Sequence, residues 1–418
     1  MTFFDLDGLK RAGRAGVILM LAAFVVGCAP ESSVSHQIET PQNEAVSPPP
    51  GDEVTLAPSV DLNRVMSSPD YGMQAFLYWQ EEIADRDIKL VKDAGFRWIK
   101  QEIPWREVEG AAKGAWQWEN TDRVMDQIDS QELKMIARLG VQPQWAAPKV
   151  PLPEISPPEN LQDFYDYVFA VAERYKGRIE AYQIWNEPNL AREWGGRPPN
   201  AAEYTELLKI GYQAVKAADP QAVVISAGLA PTTQTNAEAI PDTYFIQGMY
   251  DAGAAPYYDA LGVHAAGYKS PPETDLETIA ATPELNNFDS GPKELRRVYG
   301  FRHVEDMRAI MVENGDEAKK VVVLELGWSI DPRPDSPYHW HAVTKQQQDK
   351  YLQRAYAYAA EHWQPWIGVM SVIYIADPTW TLDDEQTYWS VVYPGYPQLN
   401  TAPAYYGLLT MDKVAAVN

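Results

Sequence analysis

The sequence predicts a (β/α)8 barrel, a closed ring of eight parallel strands in which each strand is followed by a helix. From residue 71 onward, eight short apolar runs alternate with longer stretches in which apolar residues recur at helical spacing. An open doubly wound sheet is the competing architecture, but no Gly-rich phosphate loop follows the first run. No change of composition after residue 71 marks a second domain.

The individual elements follow from these two patterns. The strand candidates are the apolar runs at residues 71–77, 96–102, 134–139, 179–185, 222–227, 258–264, 321–326 and 367–374. The stretch 82–94 has its apolar residues on one helical face, at Ile83, Ile88, Leu90 and Val91. Similar spacing predicts helices at residues 160–175, 201–218, 294–314 and 344–362. Barrel active sites lie at the C-terminal ends of the strands, so the last residues of each run are the candidates for function.

The N-terminal region has the composition of a targeting segment. Three basic residues precede an apolar run at residues 17–26, which is too short to span a bilayer as a helix. The run ends beside Cys28 in a string that resembles a bacterial lipobox, which implies cleavage before Cys28 and attachment of lipid to it. A plain secretory signal with an incidental cysteine is the alternative. The lipobox interpretation implies an extracytoplasmic protein of the cell envelope, anchored in the membrane.

A segment rich in Pro, Ser, Glu and Gln follows this cysteine. Such a composition cannot bury enough apolar surface to order itself, so it predicts a disordered tether. The predicted division of the chain is a signal peptide, this tether and one barrel domain, at residues 1–27, 28–62 and 63–418.

The composition narrows the possible ligands. The formal net charge is -23, which argues against nucleic acid as a partner because phosphate binding needs a basic surface. The chain has a single cysteine, so it can form no intramolecular disulfide and no thiolate zinc cluster. We also find no metal-binding motif such as His-x-x-x-His and no nucleophile elbow.

Two glutamates stand near the C-terminal ends of buried strand candidates. Glu187 follows the run at residues 179–185, and Glu325 lies near the end of the run at residues 321–326. A buried unpaired carboxylate is costly, so each needs a reason to be there. Two carboxylates from separate strands, facing one site, can cleave a glycosidic bond. A helix cap for Glu187 and a buried ion pair for Glu325 are the structural alternatives.

The string Trp185-Asn186-Glu187-Pro188, together with Glu325, resembles glycoside hydrolase clan A, and families 39 and 5 within it. The resemblance covers nearly all of the barrel domain. It implies that Glu187 is the acid/base, that Glu325 is the nucleophile, and that Asn186 binds the sugar 2-hydroxyl. An acid must hold its proton near neutral pH, so we expect a raised pKa for Glu187 and an ionised Glu325.

The resemblance also assigns residues around this pair. Lys100 stands where clan members often have an arginine that keeps the nucleophile ionised, and Trp145 lies in a string that resembles their Pro-x-Trp-Ala. His264 ends the sixth run, but relatives commonly have a tyrosine two residues later, where this chain has Ala266. Tyr268 is then the candidate to reach the nucleophile instead.

Clan members usually place an aromatic side chain under the cleaved sugar, after the eighth strand. Trp380 is the candidate for this position, and Trp328, shortly after Glu325, is a second. Flat indole rings suit the apolar C–H face of a pyranose.

The resemblance implies a membrane-tethered, retaining β-glycosidase that acts on plant-type or microbial polysaccharides or oligosaccharides. Two carboxylates and water complete this chemistry, so we expect neither a metal nor an organic cofactor. Two alternatives remain open. A non-catalytic carbohydrate-binding lipoprotein is favoured by Ala266 and Lys100 and disfavoured by the two glutamates. A transglycosylase would use the same residues. The sequence leaves the sugar, the linkage, endo or exo action, and the oligomeric state undetermined.

Overall fold

The protein folds as a closed barrel of eight parallel strands, which confirms the predicted fold class. The computed structural model describes residues 60–78 and 81–415. Each strand pairs with the next one along the chain, and the last pairs with the first. The strands are β1 Asp70–Gln74, β2 Trp98–Pro104, β3 Lys134–Gly140, β4 Ala181–Ile184, β5 Val223–Ile225, β6 Ala260–Ala266, β7 Lys320–Gly327 and β8 Ile367–Val372.

Helices surround this ring and cover it from solvent. They are α1 Leu62–Val65, α2 Glu81–Asp93, α3 Trp105–Val108, α4 Glu119–Ser130, α5 Leu161–Arg174, α6 Ala201–Ala218, α7 Asp242–Asp251, α8 Leu276–Ala281, α9 Val304–Glu313, α10 Lys345–His362 and α11 Pro403–Thr410. Among the described residues, none of these helices combines the length and apolar character needed to cross a bilayer. The predicted signal peptide, Cys28 and most of the predicted tether lie outside the described residues.

One helix prediction differs from the structure in an informative way. The single helix predicted at residues 294–314 is divided at Gly300, where two short 3-10 turns precede α9. A Cβ atom on Gly300 would lie 2.4 Å from Ile279 and 2.8 Å from Leu276, so this backbone packs directly on α8. Tertiary packing therefore overrides the helical spacing of the sequence here. Helix α4 was not predicted at all.

The start of the domain also differs slightly from the prediction. Leu62, the last residue of the predicted tether, is buried and begins α1. Leu62 and Met66 belong to an apolar cluster with Trp98, at the start of β2, and Val369 of β8. Helix α1 therefore packs against the N-terminal part of the barrel interior.

The inner face of the barrel changes character along the strands. In β2, Trp98 lies in the apolar interior, whereas Lys100 and Glu102, two and four residues further on, form ion pairs with residues of β7 and β3. Residues two apart share one face of a strand, so all three side chains point inward. Charged groups are therefore concentrated toward the C-terminal ends of the strands, where the predicted site residues also lie.

Candidate active site

Glu187 lies on a strained turn directly after β4. Trp185 and Glu187 both have left-handed backbone conformations, with φ of 70° and 42°. Such conformations cost on the order of 1–3 kcal/mol each and persist only where surrounding contacts enforce them. Here the backbone N–H of Trp185 donates to the Leu139 carbonyl at 2.9 Å, and that of Glu187 donates to the Gly228 carbonyl at 3.0 Å. The two neighbouring strand ends thus hold the turn in place.

Glu325 lies inside β7 and faces Glu187 across the barrel mouth. Its neighbour in the ladder is His264 of β6, at a point where the register between the two strands shifts. The side chains of Glu187 and Glu325 are 13% and 16% exposed, so both are accessible to a ligand yet largely desolvated. The structure therefore brings the two predicted carboxylates to one site.

His264 lies between these carboxylates. Its Nδ1 is 3.1 Å from Oε1 of Glu187 and 3.7 Å from Oε2 of Glu325, and one atom of each of the three side chains lies within 4.8 Å of the other two. Because both neighbours are hydrogen-bond acceptors, Nδ1 carries the proton and donates it toward Glu187. The Nε2 atom has no hydrogen-bond partner among the described residues.

Glu325 is held ionised by its surroundings. Lys100 is 1% exposed and places Nζ 3.3 Å from Oε1 of Glu325. Burial and the nearby Glu187 favour a proton on Glu325, but His264 and Lys100 outweigh them and lower its pKa. Burial also lowers the pKa of Lys100, to about 8, against the attraction of Glu325. Lys100 thus lies where the resemblance placed it, and its charge acts on the predicted nucleophile.

The pKa of Glu187 differs from the expectation. Burial raises it, but the Arg192 guanidinium and the hydrogen bond from His264 outweigh burial, so the pKa lies below its usual range. Arg192 NH2 is 2.6 Å from Oε2 of Glu187. The predicted raised pKa of Glu187 is therefore wrong, because the Arg192 guanidinium pairs with its carboxylate.

A cavity of about 260 Å³ lies next to Asn186, the residue that precedes Glu187. Asn186 lies on its wall, as do Glu102 and Arg138, which form an ion pair at 2.6 Å. Glu193 also lines it, and burial together with the charge of Glu187 raises the pKa of Glu193 to about 7. This wall offers charged and amide groups that can bind hydroxyls. A larger cavity of about 440 Å³ lies around Lys134, the first residue of β3, and contains none of these groups.

The predicted aromatic residues divide into two groups. Trp380 is partly exposed beyond β8, edge-on to Phe76 with ring centroids 4.8 Å apart, and remains a candidate for a sugar platform. Trp328 is fully buried, and its indole N–H donates to the Ser270 carbonyl at 3.0 Å. Its predicted sugar contact is therefore wrong, because the ring belongs to the core.

Trp145 and Tyr268 are the two remaining predicted aromatic residues. The indole N–H of Trp145 donates to the Glu109 carbonyl at 2.7 Å and the ring packs edge-on against Trp105, and its predicted place in the lining of the sugar site stays a prediction. The Tyr268 hydroxyl points to the Pro231 carbonyl at 3.4 Å rather than to Glu325. Tyr268 therefore does not replace the tyrosine missing at Ala266.

Besides Glu193, three charged residues of the site were not found from the sequence. Glu102 and Arg138 lie near the ends of β2 and β3, where the rule of C-terminal strand ends could have identified them. Arg192 lies in the irregular connection between β4 and α6, and no pattern in the sequence points to it.

Glu187, His264 and Glu325 are also residues of the kind that bind a divalent metal. Each carboxylate already has a cationic partner, Arg192 for Glu187 and Lys100 for Glu325, so a metal ion would compete with both pairs. These pairs account for the cluster without an ion, and the predicted absence of a metal stays a prediction.

Comparisons with known proteins give one family-model match and a set of solved structures with a similar fold. Residues 75–163, about a fifth of the chain, match the family model Glyco_hydro_42, described as β-galactosidase. Comparison with curated protein sequences gives no match.

Among solved structures, a family 39 glycoside hydrolase from the gut symbiont Bacteroides cellulosilyticus WH2 superimposes with a TM-score of 0.60 at 20% identity, covering 84% of this chain and 64% of that chain. This chain thus spans less than two thirds of that relative. Xylanase 10B from Thermotoga maritima has a TM-score of 0.53 at 13% identity and coverages of 82% and 94%. The β-galactosidase from the psychrophilic Marinomonas ef1 has a TM-score of 0.52 at 12% identity and coverages of 81% and 58%.

These similarities show that the chain shares its barrel fold with solved glycoside hydrolases, and that a fifth of it matches a family model described as β-galactosidase.

Proposed function

We propose that the protein is a retaining β-glycosidase in which Glu187 is the acid/base and Glu325 is the nucleophile. The observation that carries this proposal is the approach of the two carboxylates. One oxygen of Glu187 and one oxygen of Glu325 lie within 4.8 Å of each other, and both lie within that distance of a ring nitrogen of His264. Retaining enzymes hold their carboxyl groups roughly 5–5.5 Å apart, whereas inverting enzymes leave about 6.5–9.5 Å for a water molecule. The short separation supports direct attack by Glu325.

In the first step, a carboxylate oxygen of Glu325 forms a bond to the anomeric carbon while the bond to the leaving oxygen breaks. Glu187 gives its proton to that oxygen, so the leaving group departs as a neutral alcohol. In the second step, Glu187 takes a proton from water, the water oxygen attacks the anomeric carbon, and Glu325 leaves as a carboxylate. Two inversions give net retention, and Glu187 has its proton back.

The charges around Glu325 suit these roles. Lys100 and His264 stabilise its carboxylate before attack and after release. The cavity beside Asn186 has the polar lining that a hydroxylated substrate requires. Because the similar proteins include xylanases and a β-galactosidase, aryl β-xylosides and β-galactosides are the first substrates to test.

The test is a screen of aryl β-glycosides and polysaccharides in which proton NMR identifies the first-formed anomer. We expect the β-anomer, and an α-anomer as first product would exclude the double displacement. Glu187→Gln and Glu325→Gln should each reduce turnover of unactivated substrates by at least about 10³-fold, with unchanged melting temperature. Turnover at the wild-type rate in either variant would end the assignment. Binding of oligosaccharides without turnover in the wild type would instead support the carbohydrate-binding alternative.

We also propose that the protein is a lipoprotein of the cell envelope, anchored through Cys28. The basic, apolar and small-residue pattern that precedes Cys28 supports this location. Cys28→Ser should release the protein from the membrane fraction and abolish labelling by a fatty acid. Membrane association of the wild type with no attached lipid would contradict the anchor.

A further inference from the structure

Arg192 forms an ion pair with one of the two carboxylate oxygens of Glu187. It lies in the 3-10 turn Ala191–Glu193, and its NH2 is 2.6 Å from Oε2 of Glu187. The other oxygen, Oε1, faces Nδ1 of His264 at 3.1 Å. Both oxygens are thus occupied by N–H donors. Both donors stabilise the carboxylate relative to the neutral acid, so opening one of these contacts favours the acid form of Glu187.

The two contacts differ in how easily they open. His264 is 4% exposed, and a Cβ on Gly228 would lie 2.2 Å from its ring, so the imidazole has no room to move toward β5. The Arg192 side chain is 59% exposed at the end of a flexible stem. Because its guanidinium is exposed and its stem can rotate, an entering ligand can displace it toward solvent, whereas the imidazole is fixed.

The other charged or titratable groups around Glu187 do not provide the same control. Glu193 from its own loop and Glu325 from β7 repel its negative charge. Three phenols from other loops face it, and burial raises the pKa of each, so they stay neutral; they are Tyr268, Tyr338 and Tyr374. Arg192 also faces Glu193 and Glu385, which have Arg138 and Arg333, respectively, as further cationic neighbours. Among the described groups, Arg192 is therefore the movable cation on Glu187.

We propose that Arg192 is a positioning residue that keeps Glu187 ionised in the free enzyme and releases it when a saccharide enters, so that Glu187 can take up the proton for the leaving group. The proposal rests on the acid/base role of Glu187. It gives the same carboxyl group two states: ionised with Arg192 in place, as water activation requires, and protonated with Arg192 displaced, as departure of the leaving group requires.

The test compares pH profiles of the wild type, Arg192→Gln, Arg192→Lys and the control Arg197→Gln, on an aryl β-glycoside with a poor leaving group. Arg197 lies in the same loop, is 53% exposed, and pairs with Glu203 rather than with the site. The alkaline limb of the kcat/KM profile gives the pKa of the acid in the free enzyme, and the alkaline limb of the kcat profile gives its pKa in the enzyme–substrate complex. In the wild type we expect the kcat limb at higher pH than the kcat/KM limb.

In Arg192→Gln the alkaline limb of kcat/KM should move up by at least about one pH unit. At a pH above the midpoints of both limbs, the variant then has about ten times more protonated Glu187 than the wild type. Arg192→Lys should shift the limb less, and Arg197→Gln should leave it in place. With a dinitrophenyl glycoside, which leaves without a proton, the difference in kcat/KM between wild type and Arg192→Gln should disappear. An unchanged limb in Arg192→Gln, with active wild type, overturns the role of Arg192 and leaves the proposed glycosidase intact.

A second measurement does not depend on turnover. Carboxyl ¹³C NMR of glutamate-labelled protein gives the pKa of Glu187 directly, with Glu187→Gln identifying its signal. We expect a higher value in Arg192→Gln than in the wild type. Equal values would overturn the proposal even if no glycoside is cleaved, whereas an inactive wild type with a clear difference would count against the proposed function alone.

Discussion

Lys100 holds its ammonium group 3.3 Å from the carboxylate of Glu325, inside the barrel and almost free of solvent contact. The same group donates to the side chain of Gln74 at 2.9 Å and to the Leu324 carbonyl at 3.2 Å. Lysine offers a point charge rather than the bidentate fork of arginine, and these two further contacts fix its position. Together with His264, this buried, well-anchored cation therefore lowers the pKa of Glu325, the proposed nucleophile.

Replacing Lys100 with methionine should raise the pKa of Glu325, because burial and Glu187 then act against a smaller opposing charge. The nucleophile must be ionised, so the acid limb of kcat/KM should move up by about one pH unit or more, with kcat falling by about 10²–10³-fold. Lys320→Met is the matched control, since Lys320 is a buried lysine at the first residue of β7 that donates to the Pro365 carbonyl. A similar loss in both variants would mean that stability, not charge, is responsible.

Gly228→Ala should reduce activity through His264. The added Cβ would lie 2.2–2.3 Å from Cδ2 and Nε2 of the imidazole, so the ring must leave its place between the carboxylates. Misplacement by about 1 Å at a catalytic site costs about 10²-fold in rate, and we expect a loss of that size. In the double variant with His264→Ala the clash is gone, so the melting temperature should recover while activity does not. Wild-type turnover in Gly228→Ala would show that the position of His264 is unimportant.

Trp380→Ala tests the candidate sugar platform. Loss of a stacked indole removes binding in both ground and transition state, so kcat/KM should fall by about tenfold, mainly through KM. Trp118→Ala is the control, because Trp118 stacks on Trp116 outside the barrel. If kcat/KM for Trp380→Ala equals that of the control, the ring does not contact the sugar.

His303 predicts a pH dependence of stability away from the active site. Its ring lies 3.1 Å from Asp242 and 2.9 Å from Asp306. Burial opposes the charge of the ring, but the two carboxylates raise its pKa to about 10. Because the folded pKa is above the unfolded value of about 6.5, the stabilisation is complete below that value and is lost as pH rises through about 10.

Urea unfolding of His303→Gln at pH 6 should show a loss of about 3–5 kcal/mol, because Asp242 keeps a buried, unpaired charge. The difference from wild type should shrink as pH rises toward 10. His362→Gln, which removes an exposed histidine paired with Glu361 at 3.8 Å, should change stability by less than about 0.5 kcal/mol. A pH-independent difference for His303→Gln would contradict the charged state of the ring.

The sequence predicted the barrel because each strand–helix repeat has its own periodicity, and it predicted Glu187 and Glu325 because strand ends converge in this fold. It could not predict what depends on contacts between loops. Arg192 reaches Glu187 from an irregular segment, and its charge reverses the expected pKa shift. The indole of Trp328 follows a strand end yet turns into the core, where Ser270 accepts its N–H. Position in the chain places a residue near a site, but the direction of its side chain depends on packing.

The roles of the two glutamates are tested most directly by the configuration of the glycosyl azide that glycine variants form from an activated aryl β-glycoside. In Glu325→Gly, azide takes the place of the nucleophile and attacks once, so the account predicts the α-glycosyl azide. In Glu187→Gly, azide attacks the covalent intermediate on Glu325, so it predicts the β-glycosyl azide. The opposite pair of products would show that the roles are exchanged, and no azide product from either active variant would contradict the double displacement at this site.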